Sequence, residues 1–329
     1  MKRSLLDIKL RAHSAGDLNH FVRIGNAANE ADGIDERSSE AVLANWLLTD
    51  RANYRPADDI VVATVDGQMA GYGFVDWVET SEGTREYRTR GHVEPSWRRQ
   101  GVGSAILAHN EARLLEIAAG HPDDKPRVFG AFAPERRVGA VALITGAGYR
   151  PVRYFFDMVR PTLEDIDLPP LPEGMEIRGV SDLDGYRRLF AADTEAFLDH
   201  WGGFDASEAS FQQWLNEPNF DPSLFVIAWD GDEIAGAVIN GIDAEENEAL
   251  NRRRGLLDSV FVRRPWRRRG LAAALVGRSL AVLRDRGMTS AWLGVDADNP
   301  TGALGVYERA GFEVHLRSSA YHKPMEIQR

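Results

Sequence analysis

An internal repeat constrains the fold of this chain more than any other feature of its sequence. Residues 97–103 (Trp-Arg-Arg-Gln-Gly-Val-Gly) resemble residues 266–272 (Trp-Arg-Arg-Arg-Gly-Leu-Ala). Each half also has an Ala-Gly pair before this segment, at 70–71 and 235–236, and an Ala-Gly-aromatic triplet after it, at 147–149 and 310–312. Because chance similarity does not preserve order and spacing together, the sequence predicts a duplicated domain.

The length of the chain and its prolines agree with two domains. The chain has 329 residues, about twice the usual size of a single domain. Prolines at positions 161, 169, 170 and 172 fall near its middle, and proline disfavours helix interiors and central strands. We therefore predict an N-terminal domain over residues 1–160, a linker over 161–174 and a C-terminal domain over 175–329. A long surface loop inside one domain is the alternative for the proline-rich segment.

The hydrophobic pattern predicts the same order of elements in both halves. A polar helix opens each half (18–29 and 183–198), and two strands around a Gly-containing turn follow it (60–65 and 72–78, or 224–229 and 236–240). A further strand (91–93 or 257–262) leads into the repeated Arg/Gly segment, and a helix follows it. In the second half, a strand over 290–295 precedes a closing helix that begins at Asn299-Pro300 and ends at Gly311. Each half is therefore predicted to be a mixed α/β domain.

Composition excludes several classes of protein. Cysteine is absent, which removes disulfides, thiolate metal sites and a cysteine nucleophile. The formal net charge of the chain is −11, so the chain lacks the excess of basic residues that is typical of nucleic-acid-binding proteins. Anionic membrane surfaces would repel a chain with this charge. No apolar run is long enough for a membrane span, no signal peptide is evident, and the 8 histidines lack metal-ligand spacing. We expect a cytoplasmic protein without metal, nucleic-acid or membrane partners, and the sequence does not indicate its oligomeric state.

The Arg/Gly segment, residues 97–103 and 266–272, has the features of a phosphate-binding loop. In each copy, small residues stand between a predicted strand and a predicted helix: Gly101 and Gly103, or Gly270 and Ala272. Free N–H groups at a helix N-terminus attract anions, and the adjacent arginines add positive charge. A pyrophosphate suits such a loop. A tight turn with solvated arginines is the alternative, but two copies in the same context favour the phosphate site.

The spacing of this loop resembles that of a known superfamily. The pattern Arg267-x-x-Gly270-x-Ala272, with its first-half copy, resembles the acetyl-CoA pyrophosphate loop of the GNAT superfamily of N-acetyltransferases. Residues 299–312 resemble the closing helix of the same superfamily. The resemblance covers essentially the whole chain. It implies an α/β fold of two tandem GNAT-like domains, each a mixed, mostly antiparallel sheet flanked by helices. Tandem chains of this kind are similar to mycothiol synthases and related two-domain acetyltransferases.

The resemblance assigns cosubstrate contacts to both halves. The splayed strand, whose backbone binds the pantetheine arm of acetyl-CoA, corresponds to Val260, Phe261 and Val262. The pyrophosphate loop corresponds to Arg267, Arg268, Arg269, Gly270, Leu271 and Ala272, and Asn299 corresponds to a residue that contacts the coenzyme arm. The matching positions of the N-terminal half are His92, Val93, Arg98, Arg99, Gly101, Val102 and Gly103.

Two residues are candidates for proton transfer. Tyr307 corresponds to the GNAT tyrosine that protonates the departing CoA thiolate, and a structural role in the helix is the alternative. Some relatives carry a glutamate base on the strand before the loop, but the spacing places Leu256 there. Asp258 lies two residues later, hence on the same strand face, and is our candidate base. A surface aspartate combined with a water chain is the alternative. Direct transfer needs no metal and no covalent enzyme intermediate.

These observations predict an acetyl-CoA-dependent acyltransferase that moves an acetyl group directly to a primary amine of a small molecule. The C-terminal half is expected to be catalytic. The N-terminal half is expected to be degraded, because Ile144 stands at the Tyr307 position and Arg136 at the Asn299 position. Mycothiol-synthase-like acetylation of a cysteinyl pseudo-disaccharide is one alternative. A non-catalytic acyl-CoA-binding sensor or interaction module is another.

Overall fold

The repeat predicted from the sequence corresponds to two similar sets of elements in a computed structural model, which describes residues 7–198, 201–202, 205–298 and 302–326. Two compact units result: unit 1 comprises the chain up to Val152 and from Ser318 onward, and unit 2 comprises residues 153–317. In chain order the elements are β1 (Ile8–Ala12), α1 (Leu18–Ala31), α2 (Glu40–Leu47), α3 (Pro56–Asp59), β2 (Ile60–Val65), β3 (Gln68–Glu79), β4 (Arg85–Val93), α4 (Val102–Ala119), β5 (Arg127–Pro134), α5 (Val138–Gly146), β6 (Arg150–Arg160), β7 (Met175–Ile177), α6 (Leu183–Phe197), α7 (Glu208–Leu215), β8 (Val226–Asp230), β9 (Glu233–Gly241), α8 (Ala244–Ala249), β10 (Arg254–Val262), α9 (Leu271–Asp285), β11 (Ser290–Asp296), α10 (Ala303–Arg309) and β12 (Glu313–Pro324).

The sheet of unit 1 has the strand order β1-β2-β3-β4-β5-β12. Strands β4 and β5 are parallel, and the other neighbouring pairs are antiparallel. On one face, Phe21 and Ile24 of α1 pack with Tyr72 of β3. On the other face α4 lies close to the strands: Gly73 of β3 is so near to Ile106 of α4 that a Cβ at Gly73 would collide with it. The sheet therefore has a helix layer on each face.

The sheet of unit 2 repeats this arrangement with the strand order β6-β11-β10-β9-β8-β7. Here β10 and β11 are the parallel pair, flanked by antiparallel neighbours. Leu189 of α6 packs with Phe261 on one face, and Leu275 of α9 packs with Leu257 and Leu293 on the other. The predicted fold class, two tandem α/β domains with mostly antiparallel sheets flanked by helices, is confirmed.

The units divide the chain differently from the boundaries predicted from the sequence. Residues 153–160 belong to unit 2, where they pair with β11. The proline-rich segment 161–174 also lies in unit 2: Leu163 is buried in its core, and Arg278 of α9 donates a hydrogen bond to the Pro169 carbonyl (2.7 Å). Residues from Ser318 onward lie in unit 1, where they pair with β5. Each sheet is thus completed by a strand from the other half of the sequence.

Truncation at Arg317 is expected to destabilise unit 1. It removes the cross-strand pairs from Ser318–Pro134 to Pro324–Val128 and the buried side chains of Tyr321 and Met325. Losing two large buried side chains costs about 3–6 kcal/mol, a large part of typical domain stability. Hydrogen exchange should show loss of amide protection in β5 while β11 stays protected.

A point variant tests the same contribution without truncation. Tyr321→Ala should lower the unfolding midpoint, whereas Val314→Ala, at a residue 40% exposed on the same strand, should change it little. Unchanged protection of β5 after truncation would contradict the prediction.

The predicted helices and strands are present with shifted ends. The strand predicted over 91–93 is the end of β4, and the strand predicted over 257–262 is most of β10. The closing helix α10 begins at Ala303 with Gly302 as its N-cap, later than predicted. Asn299, Pro300 and Thr301 lie outside the described residues, so the predicted contact of Asn299 stays a prediction. Over the ranges described, no helix is both long and apolar enough to cross a membrane.

Candidate active site

The parallel strands of unit 2 separate before they end. Their pairing stops at Leu256–Trp292, although β10 continues to Val262 and β11 to Asp296. On its other edge β10 remains paired with β9 as far as Val262. The edge of β10 that faces β11 therefore borders an opening between the two strands, where backbone groups can bind a ligand instead of a neighbouring strand.

The three predicted strand residues lie along this opening. Phe261 is buried against the α6 side, and Val260 and Val262 pack on the α9 side. Their side chains thus belong to the hydrophobic cores. Backbone N–H and C=O groups alternate between the two edges of a strand. This segment therefore presents backbone groups, and not its side chains, to the opening.

The loop before α9 has the backbone geometry of an anion site. Arg268 and Gly270 both have positive φ angles, 63° and 84°. Gly270 is the N-cap of α9 and provides no side chain to cap it, so the first N–H groups of the helix lack an intrahelical acceptor. These N–H groups and the helix dipole favour a negative charge at this position.

Unit 1 repeats this loop geometry. Arg99 and Gly101 have φ angles of 61° and 94°, and Gly101 is the uncapped N-cap of α4. The remaining small or apolar loop residues predicted for both sites start the two helices: Val102, Gly103, Leu271 and Ala272. The backbone before α4 therefore has the same conformation as the backbone before α9.

The first arginine of each loop binds groups of its own unit. Arg267 donates from Nε to the Val262 carbonyl (2.9 Å) and from Nη2 to the Ala196 carbonyl (3.3 Å). Arg98 forms a two-bond pair with Asp32 at the end of α1 (2.7 and 2.9 Å). These arginines tie the loop to the opening helix of each unit, while the exposed side chains are those of Arg99, Arg268 and Arg269.

A β-bulge interrupts β10 where the opening begins. The register with β9 shifts between Leu257 and Ser259, which makes Asp258 the extra residue. Strict alternation, which places Asp258 on the face of Leu256, does not hold at a bulge, and Asp258 is exposed. A bulge re-aims a side chain in this way, so the candidate base is presented beside the opening.

Two further carboxylates surround the bulge, and the sequence analysis missed both. Asp193 of α6 accepts a hydrogen bond from Ser259 Oγ (2.7 Å). Desolvation raises the pKa of Asp193 to about 7, against the Ser259 bond and with the help of the Asp258 charge. Desolvation, followed by the Asp258 charge, also raises the pKa of Glu217 to about 7.

Desolvation raises the pKa of Asp258 as well, because protein atoms surround this solvent-accessible carboxylate. Groups with a pKa near 7 exchange protons readily at neutral pH, as acid–base catalysis requires. No motif links the three residues, which come from α6, β10 and the segment after α7. Sequence spacing therefore gave no signal for Asp193 or Glu217.

Tyr307 lies in α10, which packs against α9 and β11. The residue is 5% exposed, and its ring contacts Phe312 edge-on with 6.2 Å between centroids. Burial raises the pKa of the Tyr307 hydroxyl. The hydroxyl therefore stays protonated at neutral pH, which a proton donor requires.

Unit 1 has the strand opening without these side chains. Its parallel pairing also stops early, at Thr89–Ala131, but β4 pairs with β3 without a register shift. Near the opening Arg88 and Arg90 bind Asp76 (2.7 Å each) where unit 2 has its carboxylates. The buried Ile144 of α5 occupies the position that corresponds to Tyr307.

Cationic side chains connect the segment after β5 with the α1 region of unit 1. Arg137, just after β5, donates to Asn29 Oδ1 of α1 (2.6 Å), and α1 packs on β4. Arg136 donates to the Gly33 carbonyl (2.8 Å). Desolvation, followed by the charge of Arg137, lowers the pKa of His92 to about 3. The predicted strand residue His92 thus lies close to Arg137, whereas the next predicted residue, Val93, packs on the α4 side.

Within the part of the chain that the structure describes, no group of three or more His, Cys, Asp or Glu side chains could hold a metal ion. The polar groups of unit 2 suit an anionic cosubstrate at the loop and a cationic group at the bulge.

Comparison with known proteins relates this geometry to a family. Residues 186–312 match the sequence model of the acetyltransferase (GNAT) family. The mycothiol acetyltransferase of Salinispora arenicola is 31% identical over 298 residues, which cover 90% of each chain. That of Salinispora tropica is 30% identical over 306 residues, or 92% of this chain and 91% of the relative.

Two solved structures agree with the relation. A GCN5-related N-acetyltransferase from Sphaerobacter thermophilus aligns with a TM-score of 0.72 and 28% identity, covering 98% of this chain and 97% of that one. A tandem GNAT protein from the clavulanic acid biosynthesis pathway has the same fold, with a TM-score of 0.72 and 15% identity over 98% of this chain and 100% of that one. This chain is therefore an acyltransferase that belongs to the GNAT family of acetyltransferases.

Proposed function

We propose that this acetyltransferase uses acetyl-CoA to acetylate a primary amine of a small molecule, and that unit 2 does so. The observation that carries the proposal is a juxtaposition within one unit. The anion-binding loop, the strand opening and the carboxylates Asp193, Glu217 and Asp258 all adjoin β10. Unit 1 has the loop and the opening, but the carboxylate of Asp76 near its opening is paired with Arg88 and Arg90, so we propose that unit 1 is catalytically degraded.

Binding of acetyl-CoA would rest mainly on backbone groups of unit 2. The N–H groups at the start of α9, with Gly270 as the point of closest approach, suit the pyrophosphate. The free edge of β10 at Val260–Val262 suits the amide-bearing arm, and Asn299 remains a predicted contact. Acetyl-CoA supplies an acetyl group activated as a thioester. Acetyl-CoA is long enough to contact both the start of α9 and the free edge of β10, and unit 2 contains both.

The carboxylates at the bulge prepare the amine. An amine of ordinary basicity arrives as an ammonium ion, which cannot act as a nucleophile. Asp258, beside the opening, attracts the ammonium group and accepts its proton directly or through water. Asp193 and Glu217 increase the negative charge there and share the proton, because their pKa values lie near 7. This arrangement serves both binding and deprotonation.

Tyr307 is proposed to donate a proton, whereas the carboxylates accept one. We propose that its hydroxyl gives a proton or a hydrogen bond to the sulfur that leaves during transfer. Burial raises the pKa of this hydroxyl and keeps the proton in place until negative charge develops nearby. The two proton transfers are thus assigned to different groups of unit 2.

Two alternatives are distinguished by the acceptor. The mycothiol acetyltransferase relatives, matched over about nine-tenths of the chain, make a cysteinyl pseudo-disaccharide the specific second candidate. A non-catalytic acyl-CoA sensor is the third, and the carboxylate cluster beside the opening argues against it. Residues 199–200 and 203–204 lie outside the described part of the chain.

Thiol release from acetyl-CoA over a panel of amines tests the proposal. We expect amine-dependent release and an acetylated product that mass spectrometry identifies. Asp258→Asn keeps the shape of the side chain and should lower kcat/KM for the amine about 10²-fold or more. The exposed Asp232 offers a matched control, since Asp232→Asn also removes a carboxylate from unit 2 but away from the opening. Equal loss in both variants, or release without any acetylated amine, would contradict the assignment.

The dependence on pH is a separate prediction. At saturating acetyl-CoA, kcat/KM for the amine should rise as pH passes through about 7, because Asp193 and Glu217 then lose their protons. Asp193→Asn retains the acceptor for Ser259 and should reduce this rise. An unchanged profile in that variant would remove Asp193 from the mechanism.

Stability should vary in the opposite direction. A carboxyl group whose folded pKa is raised stabilises the fold fully below its unfolded pKa of about 4 and loses this contribution as pH rises through about 7. Asp193→Asn should therefore raise the unfolding midpoint at pH 8 relative to the original protein and have less effect at pH 4. Thermal unfolding at the two pH values measures this difference.

A further inference from the structure

Gly294, in the middle of β11, leaves an open part of the sheet surface beside the bulge at Asp258. We call this surface above Gly294 the floor. Ala291, Leu293 and Val295 point into the core on the α9 side, so Gly294 belongs to the opposite face of the sheet. Gly294 is exposed even though it lies within a strand that has neighbours on both sides. The missing side chain therefore opens this face of unit 2 to solvent.

Neither the backbone nor the packing requires glycine at this position. Gly294 does not have the positive φ that favours glycine. Among the described residues, an added Cβ would meet only Trp292 Cη2 at 3.6 Å and Asp157 Oδ1 at 4.0 Å, which are ordinary contacts. Within the described ranges no side chain fills the space above Gly294, and the exposure of Gly294 makes this space accessible to a ligand.

An aromatic ring and a carboxylate lie beside this floor. The half-buried ring of Trp292 extends toward the space above Gly294, while Asp157 of β6 is the cross-strand partner of Gly294. Farther along β6, Phe155 contacts Trp201 with ring centroids 6.0 Å apart. A carboxylate next to an aromatic ring binds ammonium groups through charge and through the π face.

The floor lies on the same side as the proposed base. Pairing between β10 and β11 stops at Trp292, so Gly294 lies just inside the opening, across from the Asp258 bulge. Asp157 lies on the far side of Gly294, one strand farther from β10. Two paired strand spacings amount to roughly 10 Å, and the opening between β10 and β11 widens the distance from β10 to β6, so side chains that lean inward leave room for two separate cationic groups.

We propose that the acceptor carries a second ammonium group, which binds on the floor above Gly294 between Asp157 and Trp292. This inference rests on the proposed function and specifies its substrate class as a diamine or polyamine. The reacting amine then faces Asp258 while the second ammonium sets the position and orientation of the molecule. Acceptors with one amine use half of this arrangement and bind more weakly.

Paired acceptors of equal carbon length test the second binding position. With wild-type protein, kcat/KM should be at least about tenfold higher for pentane-1,5-diamine than for pentylamine, and ethane-1,2-diamine should gain little because it is too short. Asp157→Asn should weaken the apparent affinity for the five-carbon diamine, measured as a KM increase of about tenfold or more, while the KM values for pentylamine and acetyl-CoA stay the same. Trp292→Leu should have the same selective effect, and Asp232→Asn should have none.

The outcomes separate this proposal from the one on which it rests. Turnover of both amines with equal kcat/KM, or a preference for glucosamine over the diamine, would overturn the second ammonium position and leave the acetyltransferase function intact. An equal rise of the acetyl-CoA KM in Asp157→Asn would also overturn it, since the residue would then have only a structural role. Absence of turnover with every amine would overturn the proposed function itself.

Discussion

Replacing Tyr307 by phenylalanine should lower kcat about 10²–10⁴-fold, the usual contribution of general acid catalysis. The variant keeps the ring, which is 5% exposed and packs with Phe312, so the core of unit 2 is preserved. Only the hydroxyl is lost, and its raised pKa is what suits it to hold a proton until transfer. Acetyl-CoA affinity, measured by calorimetry, should change little.

The matched control is Tyr149→Phe in unit 1. Tyr149 is also fully buried and also loses only a hydroxyl, but it lies in the core of unit 1. Its kcat should remain at the original value. Single-turnover kinetics keep the comparison on the chemical step. Wild-type rates for Tyr307→Phe under these conditions would refute the role of the tyrosine and leave Asp258 to be tested alone.

The position of each repeated loop between a strand and a helix is the part of the site that the sequence predicted and the structure has. Glycine adopts the positive φ of Gly101 and Gly270 without steric cost, and a helix start leaves free N–H groups whatever its side chains are. The pattern of small residues thus determines local geometry directly. The arginines do not follow in the same way, because Arg267 and Arg98 have several possible acceptors and bind those on the opening helices.

The carboxylate cluster shows why the rest was not predictable from spacing. Asp193, Glu217 and Asp258 are brought together by packing of separate elements, and each alone is indistinguishable in sequence from a surface residue. The bulge at Asp258 depends on the register with β9, which alternation along one strand does not encode. The isoleucine at the position that corresponds to Tyr307 is visible in the sequence as Ile144, whereas the contact of Arg137 with α1 is not.

Strand exchange between the halves was missed for a related reason. The sequence predicts that a strand exists, but its partner is a non-local choice. Residues 153–160 satisfy the edge of β11, and residues from Ser318 onward satisfy the edge of β5. A repeat favours boundaries at equal positions in both copies, and the prolines near position 161 favoured the same place. The chain instead completes each sheet across that boundary.

The second large effect concerns the two phosphate loops and assigns the working unit. Gly270→Val should abolish turnover, and Gly101→Val should leave it near the original value. Both glycines have positive φ, 84° and 94°, so valine imposes similar backbone strain, of order 1–3 kcal/mol, in both variants. Neither change creates a severe clash: a Cβ at Gly270 meets nothing within 4 Å, and one at Gly101 meets Ile8 Cδ1 at 3.4 Å.

Since the strain is matched, a difference in turnover reports function and not folding. At Gly270 the branched side chain stands where a pyrophosphate must approach the N–H groups of α9. Loss of one or two hydrogen bonds to a charged group costs about 1.5–3 kcal/mol each, which weakens acetyl-CoA binding about 10²-fold or more. At Gly101 the same loss falls in a unit that has Ile144 at the position of Tyr307 and in which the carboxylate of Asp76 is paired with Arg88 and Arg90. Calorimetric titration with CoA, thiol release and thermal unfolding of both variants together decide the assignment. Abolished turnover in a folded Gly101→Val protein, with full activity in Gly270→Val, would move the active site to unit 1.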